Sequence, residues 1–505
     1  MDTRTNTNDN PTPPQRKTRP DHPASGGRDA RFALLRWMQE SGACGEAKGV
    51  QGCLRVGLPT ARPAVVVETD AHGSNHATWT GVGRCGSPTL CPWCAAREAQ
   101  ERALEIARVV RGHWDGGEAW HPGMRGVVLV TLTIPHRRGQ PLRELLDGLW
   151  GAWRRFTRPE QTWLAGREDA TPDVLGWVVS CEVTHSASGG WHPHLHALVF
   201  TDALDKDTRR DDEGVKTLGA SSGKLSKHLD KRRARFDADE LDAEGAEAEG
   251  VFSDAALWVD AIRDDWRDAC AAEGIDGVQP WAQDVTLVRG AEGINRYLVK
   301  IGFEVGSSAS GAVGGGKEGL SERAHRTPFA IIMDAKTHDE LHDTTRRDAD
   351  LALWHEWAQV VKGRQLHRWS RAPRDLRARY ADAPEVTLSE LDPTRAPVAR
   401  VELGEVPHWA YAIAHDEQAA TPFGRPTWGT LAWLKWAEVA PGLVAAWHRW
   451  LSWADDKAAL SVDTERNRKA RAKAVRLFLD SLDRGDGPPW DEGDEYSEGG
   501  TLAAP

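Results

Sequence analysis

Trp191-His192-Pro193-His194-Leu195-His196-Ala197-Leu198-Val199-Phe200 is the stretch on which the reading of the fold turns. In an extended strand successive side chains point to opposite faces, so His192, His194 and His196 share one face while Leu195, Ala197 and Val199 take the other. Three of the chain's 19 histidines at period two inside an apolar strand point to a metal site rather than a chance surface row. Neutral imidazoles are good ligands for zinc, manganese and other divalent ions, and a strand holds them more rigidly than a loop.

Upstream, residues 175–184 read as another strand, and Ser186-Ala187-Ser188-Gly189-Gly190 is a turn that folds the histidine strand back on it as an antiparallel hairpin. Glu182 is the acid placed to face the histidines across that ladder. Residues 126–134 read as a buried strand closed by Pro135 and His136. The stretches 95–110 and 142–156 carry helical periodicity, with Trp150 and Trp153 assigned to the core rather than to base stacking. Downstream come a helix over 255–272, a short strand at 285–288 and a helix over about 292–301.

On that last helix Tyr297 and Lys300 are three residues apart and share a face. A phenol has a pKa near 10 and is a poor nucleophile until a cation or a polarised phosphate favours the phenolate. A metal-bound histidine strand would stabilise the more anionic transition state of phosphodiester transesterification, so Tyr297 is the candidate nucleophile and Lys300 its cation.

Cys91-Pro92-Trp93-Cys94 has the spacing of a zinc knuckle, and Cys85 is near enough to add a third thiolate. Two strand-like pieces at 64–67 and 77–82 lie between Cys53 and Cys85 and would bring them together, so Cys53 is the expected fourth ligand; Cys44, His72 and His76 are the alternatives. Structural zinc fits seven cysteines in a chain with no signal peptide better than disulfides do.

The chain has 505 residues, enough for two to four units. Its polar start and the lack of any apolar run near the roughly 20 residues of a membrane span exclude a membrane protein and point to the cytoplasm. A net charge of −11 weighs against nucleic-acid binding, yet much of the acid sits in the peripheral stretches 237–249 and 483–498.

Taken together, Cys85-Gly-Ser…Cys91-Pro-Trp-Cys94, Thr131-Leu-Thr-Ile-Pro-His136, Glu182-Val-Thr…His192-Pro-His-Leu-His-Ala-Leu198 and Arg296-Tyr-Leu-Val-Lys300 carry a resemblance. Over roughly residues 44–305 the chain resembles the rolling-circle replication initiators of small bacterial plasmids, within the HUH endonuclease superfamily. Thr327-Pro-Phe…Lys362-Gly-Arg…Trp369-Ser-Arg is similar to the segment that follows in such initiators. The resemblance implies an α+β fold: an HUH-type core with a five-stranded antiparallel sheet flanked by helices, an N-terminal cysteine (zinc) module and a mainly helical C-terminal region. The expected organisation is a disordered arm at 1–30, the cysteine module at 31–100 and the nicking domain at 101–305 with a charged insertion at 201–253. A Gly/Ser-rich linker at 306–326, a helical accessory region at 327–482 and an acidic tail at 483–505 follow.

The resemblance further implies that His194 and His196 hold magnesium or manganese, with Glu182 or His192 as third ligand. Tyr297 would cut one strand at the double-strand origin, leaving a 5′-phosphotyrosyl link and a free 3′-OH, while Lys300 orients the scissile phosphate. Origin DNA, a host helicase and a host polymerase would be the partners. Such initiators often carry a glutamate four residues before the tyrosine; here Gly293 stands there, and Glu292, one residue further back, is the candidate for its role. Rival readings are an HUH-type transposase, a histidine-triad nucleotide hydrolase matching His192-Pro-His-Leu-His-Ala-Leu198, and a non-catalytic regulator using the zinc module alone.

Overall fold

The alternation of apolar and polar residues along residues 174–201 dictates a long hairpin, and the rest of the molecule is built on it. The computed structural model describes residues 23–45, 48–70, 73–113, 126–165, 173–202, 230–231, 233–234, 237, 254–288, 325–387, 390, 397–419, 427–459, 464–482, 484–485 and 487–488. Strand β1 is Ala64–Asp70, β2 Asn75–Thr80, β3 Gly126–Thr133, β4 Val174–Ser186, β5 Gly190–Thr201, β6 Asp284–Val288, β7 His367–Trp369 and β8 Pro397–Glu405. The larger sheet runs β6-β3-β5-β4-β7, antiparallel throughout, with the histidine strand β5 at its centre. At the hairpin Gly190 has φ +75°, and a Cβ there would come within 3.2 Å of the Arg138 Cα, so a residue without one is required.

Each face of β5 meets a different core. Leu195, Ala197 and Val199 join Val130, Leu132, Val179 and Cys181 against the helices Leu142–Phe156 and Asp254–Ala271, with Trp150, Trp153, Trp258 and Trp266 filling the layer. On the opposite face Leu198 and Phe200 pack with Val127, Leu129 and Val178 beneath Ile106, Val109 and Val110 of the helix Pro92–His113. This second layer covers only one end of its face. His194, His196 and Glu182 lie on the same face beyond it.

A second sheet, β2-β1-β8, packs with helices His408–Asp416, Gly429–Val439, Pro441–Ala459 and Thr464–Leu482. Here the structure departs from the sequence expectation. The mainly helical stretch 327–482 contributes one strand to each of these two sheets, and a separate short pair, Gln418–Ala419 with Thr427–Trp428: β7 pairs with Val178, Val179 and Ser180 of β4, and β8 pairs along β1. Both are edge strands, one only three residues long, and their pairing with distant segments leaves little local pattern. The N-terminal helix, Pro23–Ser41, starts inside the stretch expected as a disordered arm. Arg28 is buried there, donating to the Ala77 carbonyl at 3.0 Å and pairing with Glu438, which ties the helix start to β2. Among the described residues no helix is long and apolar enough to cross a membrane.

The second unit contains a buried histidine whose protonation state is fixed by its neighbours. Trp433 Nε1, which can only donate, lies 2.9 Å from His448 Nε2, so Nδ1 carries the proton toward the Gly404 carbonyl, also 2.9 Å away. Burial pushes the His448 pKa down to about 4. The unfolded chain therefore holds more protons than the folded one between about pH 6.5 and 4, and stability is complete above that window and lost as pH falls through it. Denaturant unfolding followed across this window is expected to show a falling midpoint for the wild type and a shallower fall for His448→Gln. Parallel curves would show that His448 is not part of the acid response.

Candidate functional site

Strand register assembles the site. Glu182 on β4 stands directly across from His194 on β5; on the other side of β5, Thr131 and Thr133 of β3 stand across from His196 and His194. Because side chains alternate, all five occupy one face. His194 Nε2 lies 2.8 Å and His196 Nε2 3.0 Å from the same oxygen, Glu182 Oε2. The Thr131 hydroxyl sits 3.1 Å from His196 Nδ1, fixing the ring so that Nε2 faces the carboxylate. His194 Nδ1 is buried without a hydrogen-bond partner among the described residues. Burial works to raise the Glu182 pKa, but the two imidazole contacts outweigh it and hold the carboxyl well below the usual range.

Two imidazole nitrogens and one carboxylate oxygen, each with its ligand atom within 4.8 Å of the others, form a group that could hold one metal ion. The set leaves one side open, and its mixed nitrogen and oxygen character suits magnesium, manganese or iron. His192 does not join this group. Its ring stacks on His136 with centroids 4.4 Å apart and planes at 15°, and His325 lies 5.8 Å away. Burial, then the neighbouring His194, His136 and His325, lowers its pKa to about 4, so it stays neutral near pH 7.

Tyr297, Lys300 and Glu292 lie outside the described residues. The sequence assigned two contributors no role at the site. Thr131 belongs to a Thr-Leu-Thr run that carries little information alone, and His367 sits in no motif. His367 reaches the site because β7 pairs with β4: its Nδ1 lies 2.8 Å from Ser180 Oγ, and Ser180 stands across from His196. Burial, reinforced by Arg102 and Arg377, lowers the His367 pKa to about 3.

The cysteine expectation concerns a second cluster. Cys53, Cys85, Cys91 and Cys94 bring their sulfurs together, with Cys53–Cys94 at 3.7 Å, Cys85–Cys94 at 3.6 Å and Cys53–Cys91 at 3.6 Å. These separations are far above a disulfide bond and close to the roughly 3.8 Å edge of a tetrahedron with zinc–sulfur bonds of about 2.3 Å. The Cys94 N–H points to Cys91 Sγ at 3.5 Å, the backbone contact of a knuckle. Sulfur–sulfur contacts lower the Cys94 and Cys85 pKa and raise that of Cys53, and burial raises that of Cys91, so acidity is shared unevenly within the cluster. Of the alternatives, Cys44 is buried outside the cluster, His76 pairs with Asp70 at 3.0 Å, and His72 lies outside the described residues. Cys91 and Cys94 stand at the start of the helix Pro92–His113, whose later turns cover the sheet beside the histidines.

Residues 80–204 match a protein family described as replication protein, a span that includes three of the four clustered cysteines and the whole hairpin. The chain is 25% identical over 343 residues to "Protein rep" of Streptomyces lividans, covering 62% of this chain and 67% of that protein. It is 27% identical over 179 residues to "Neomycin resistance protein" of Streptomyces cyanogenus, covering 30% of this chain and 38% of that one. No solved structure matches the chain significantly.

Two outcomes check this geometry. Elemental analysis of purified protein is expected to give about one zinc per chain, lost together with much of the folded stability when Cys91 and Cys94 are replaced by serine; a zinc-free protein with an unchanged melting curve would overturn the assignment. Glu182→Gln is expected to weaken manganese binding about 10- to 100-fold by isothermal titration; unchanged affinity would remove Glu182 from the ligand set.

Proposed function

We propose, from the match of residues 80–204 to the replication protein family, that the chain is a plasmid replication initiator that nicks and rejoins one DNA strand through Tyr297. The observation that carries the proposal is the convergence of His194, His196 and Glu182 on one open face of the sheet. His194 Nε2, His196 Nε2 and Glu182 Oε2 would hold magnesium or manganese. Once bound, that ion would withdraw charge from a non-bridging phosphate oxygen.

The protein's own groups do the rest. The Tyr297 phenol oxygen attacks the scissile phosphorus, the bond from phosphorus to O3′ breaks, and the phosphoryl group remains on the tyrosine as a 5′-phosphotyrosine. The phenol proton is lost to solvent, a loss that the adjacent Lys300 ammonium favours, and the departing O3′ takes up a proton to become the free 3′-OH. Lys300 also orients the phosphate by charge. Rejoining is the reverse: a 3′-OH attacks the phosphotyrosine and frees Tyr297. Thr131 keeps His196 in position throughout, and Glu292 takes the place of the glutamate expected at Gly293 for activating water.

Chain geometry allows Tyr297 to reach the site. Strand β6 begins with Asp284 opposite Thr131 and ends with Val288 opposite Val127, nine residues before Tyr297. Four steps at up to about 3.3–3.6 Å each, followed by the first five of the expected helix at about 1.5 Å each, are long enough to return along the strand to the histidines. In this reading the initiator acts in the cytoplasm at the plasmid's double-strand origin, and a host helicase and polymerase extend the 3′-OH by rolling-circle replication.

With manganese and a supercoiled plasmid bearing its own origin, the protein is expected to give an open circle with protein attached at the 5′ end. Tyr297→Phe is expected to abolish the adduct, and His194→Ala or His196→Ala to slow nicking at least about 100-fold. An adduct still formed by the Tyr297→Phe protein would displace the tyrosine, and full-rate nicking by the histidine variants would end the metal assignment.

A further inference from the structure

A cavity of about 850 Å³ beside Glu182 and His196 does not stop at the site. It continues past Ser180 and round the β7 edge of the sheet to Arg154, Arg368 and Arg371. Because β7 has only three residues, this edge is short, and the wall beyond it is made by side chains rather than by a further strand.

The charges on that wall are not balanced. The Arg368 guanidinium lies over the Trp150 ring, 3.7 Å from its centroid, which holds it in place without neutralising it. Burial, then the proximity of Arg154, Arg371 and Arg364, lowers its pKa, the sign of cations crowded together. Arg364 is paired with Asp147 at 2.7 Å. Arg154, Arg368 and Arg371 form no salt bridge among the described residues. In a chain of net charge −11, three clustered arginines with no salt bridge among the described residues, beside a metal-type site, suit a polyanion.

We propose that this edge is a track for the phosphates of the single DNA strand flanking the scissile phosphate, with Arg154, Arg368 and Arg371 as sequence-independent contacts. The inference rests on the nicking function proposed above and adds the path of the strand: across the histidine face, over β7 and onto the opposite side of the sheet. The cavity volume falls within the roughly 300–1,000 Å³ range of sites that enclose small ligands, so it takes a short run of single strand and not a duplex. Contact is through charge and the planar guanidinium, which suits phosphate oxygens and reads no base.

The test uses the full-length protein, manganese and a fluorescent single-stranded oligonucleotide carrying the origin sequence, with binding measured over a series of KCl concentrations. Arg154 and Arg371 are exposed, so Arg154→Gln/Arg371→Gln is expected to fold normally. It should bind at least about 10-fold more weakly at low salt, and its log K against log salt should be shallower by about 1.4, two contacts at about 0.7 each. Arg154→Lys/Arg371→Lys should keep most of the wild-type slope. If wild type binds and nicks while the glutamine variant matches it in affinity and slope, the track is wrong and the nicking function stands. Equal weakening on a duplex of the same sequence would overturn the single-strand assignment. If wild type neither binds nor nicks, both readings fall.

Discussion

Everything in the larger sheet depends on one requirement: β5 must satisfy two unlike layers at once. Its odd residues, Leu195, Ala197 and Val199, are sealed beneath the tryptophan-rich helices, while its even residues present His194 and His196 and then Leu198 and Phe200. A slip of one residue would drive imidazoles into the apolar core and expose a buried leucine, valine and alanine. Burying a leucine or valine side chain contributes about 1.5–3 kcal/mol, so the packing face enforces the register of the functional face. The same register places Glu182 opposite His194 and Thr131 opposite His196. The site is thus a by-product of core packing, held without a loop.

The cysteine cluster extends this constraint. The helix Pro92–His113 begins among Cys91 and Cys94 and ends over Val127, Leu129 and Phe200, covering the part of the histidine face that the site does not use. Fixing its first turn fixes how far the cover extends. Segments late in the chain complete the arrangement: β7 brings His367 against Ser180, and His325 approaches His192 next to the bridge between Arg326 and His185. The site therefore draws on residues more than 200 positions apart, from Thr131 to His367.

Charge is divided unevenly between whole and part. The net charge of −11 describes a molecule that phosphates would avoid, whereas the wall of the cavity beside the site gathers arginines whose nearest charged neighbours include other arginines. Fields at a cleft follow local groups more than the total, because screening removes distant charges beyond about 8–10 Å at ordinary ionic strength.

The sequence by itself determined whatever has a short repeat. Alternation along residues 191–200 set the strand and the shared face of its histidines, the Gly-rich turn set the hairpin, and helical periodicity set Leu142–Phe156 residue for residue. The cysteine spacing gave three clustered cysteines and, through the two intervening strands, made Cys53 the first choice for a fourth over Cys44, His72 and His76. Only the tertiary structure decided between Glu182 and His192 beside the histidine pair, which hydroxyl supports it, that His192 turns aside to stack on His136, and that β7 and β8 close the sheets. The physical reason is one of range. Periodicity is written between neighbours a few residues apart, but cross-strand register and the gathering of Arg154, Arg368 and Arg371 at one edge are made by contacts between segments whose separation in the chain leaves no local signal.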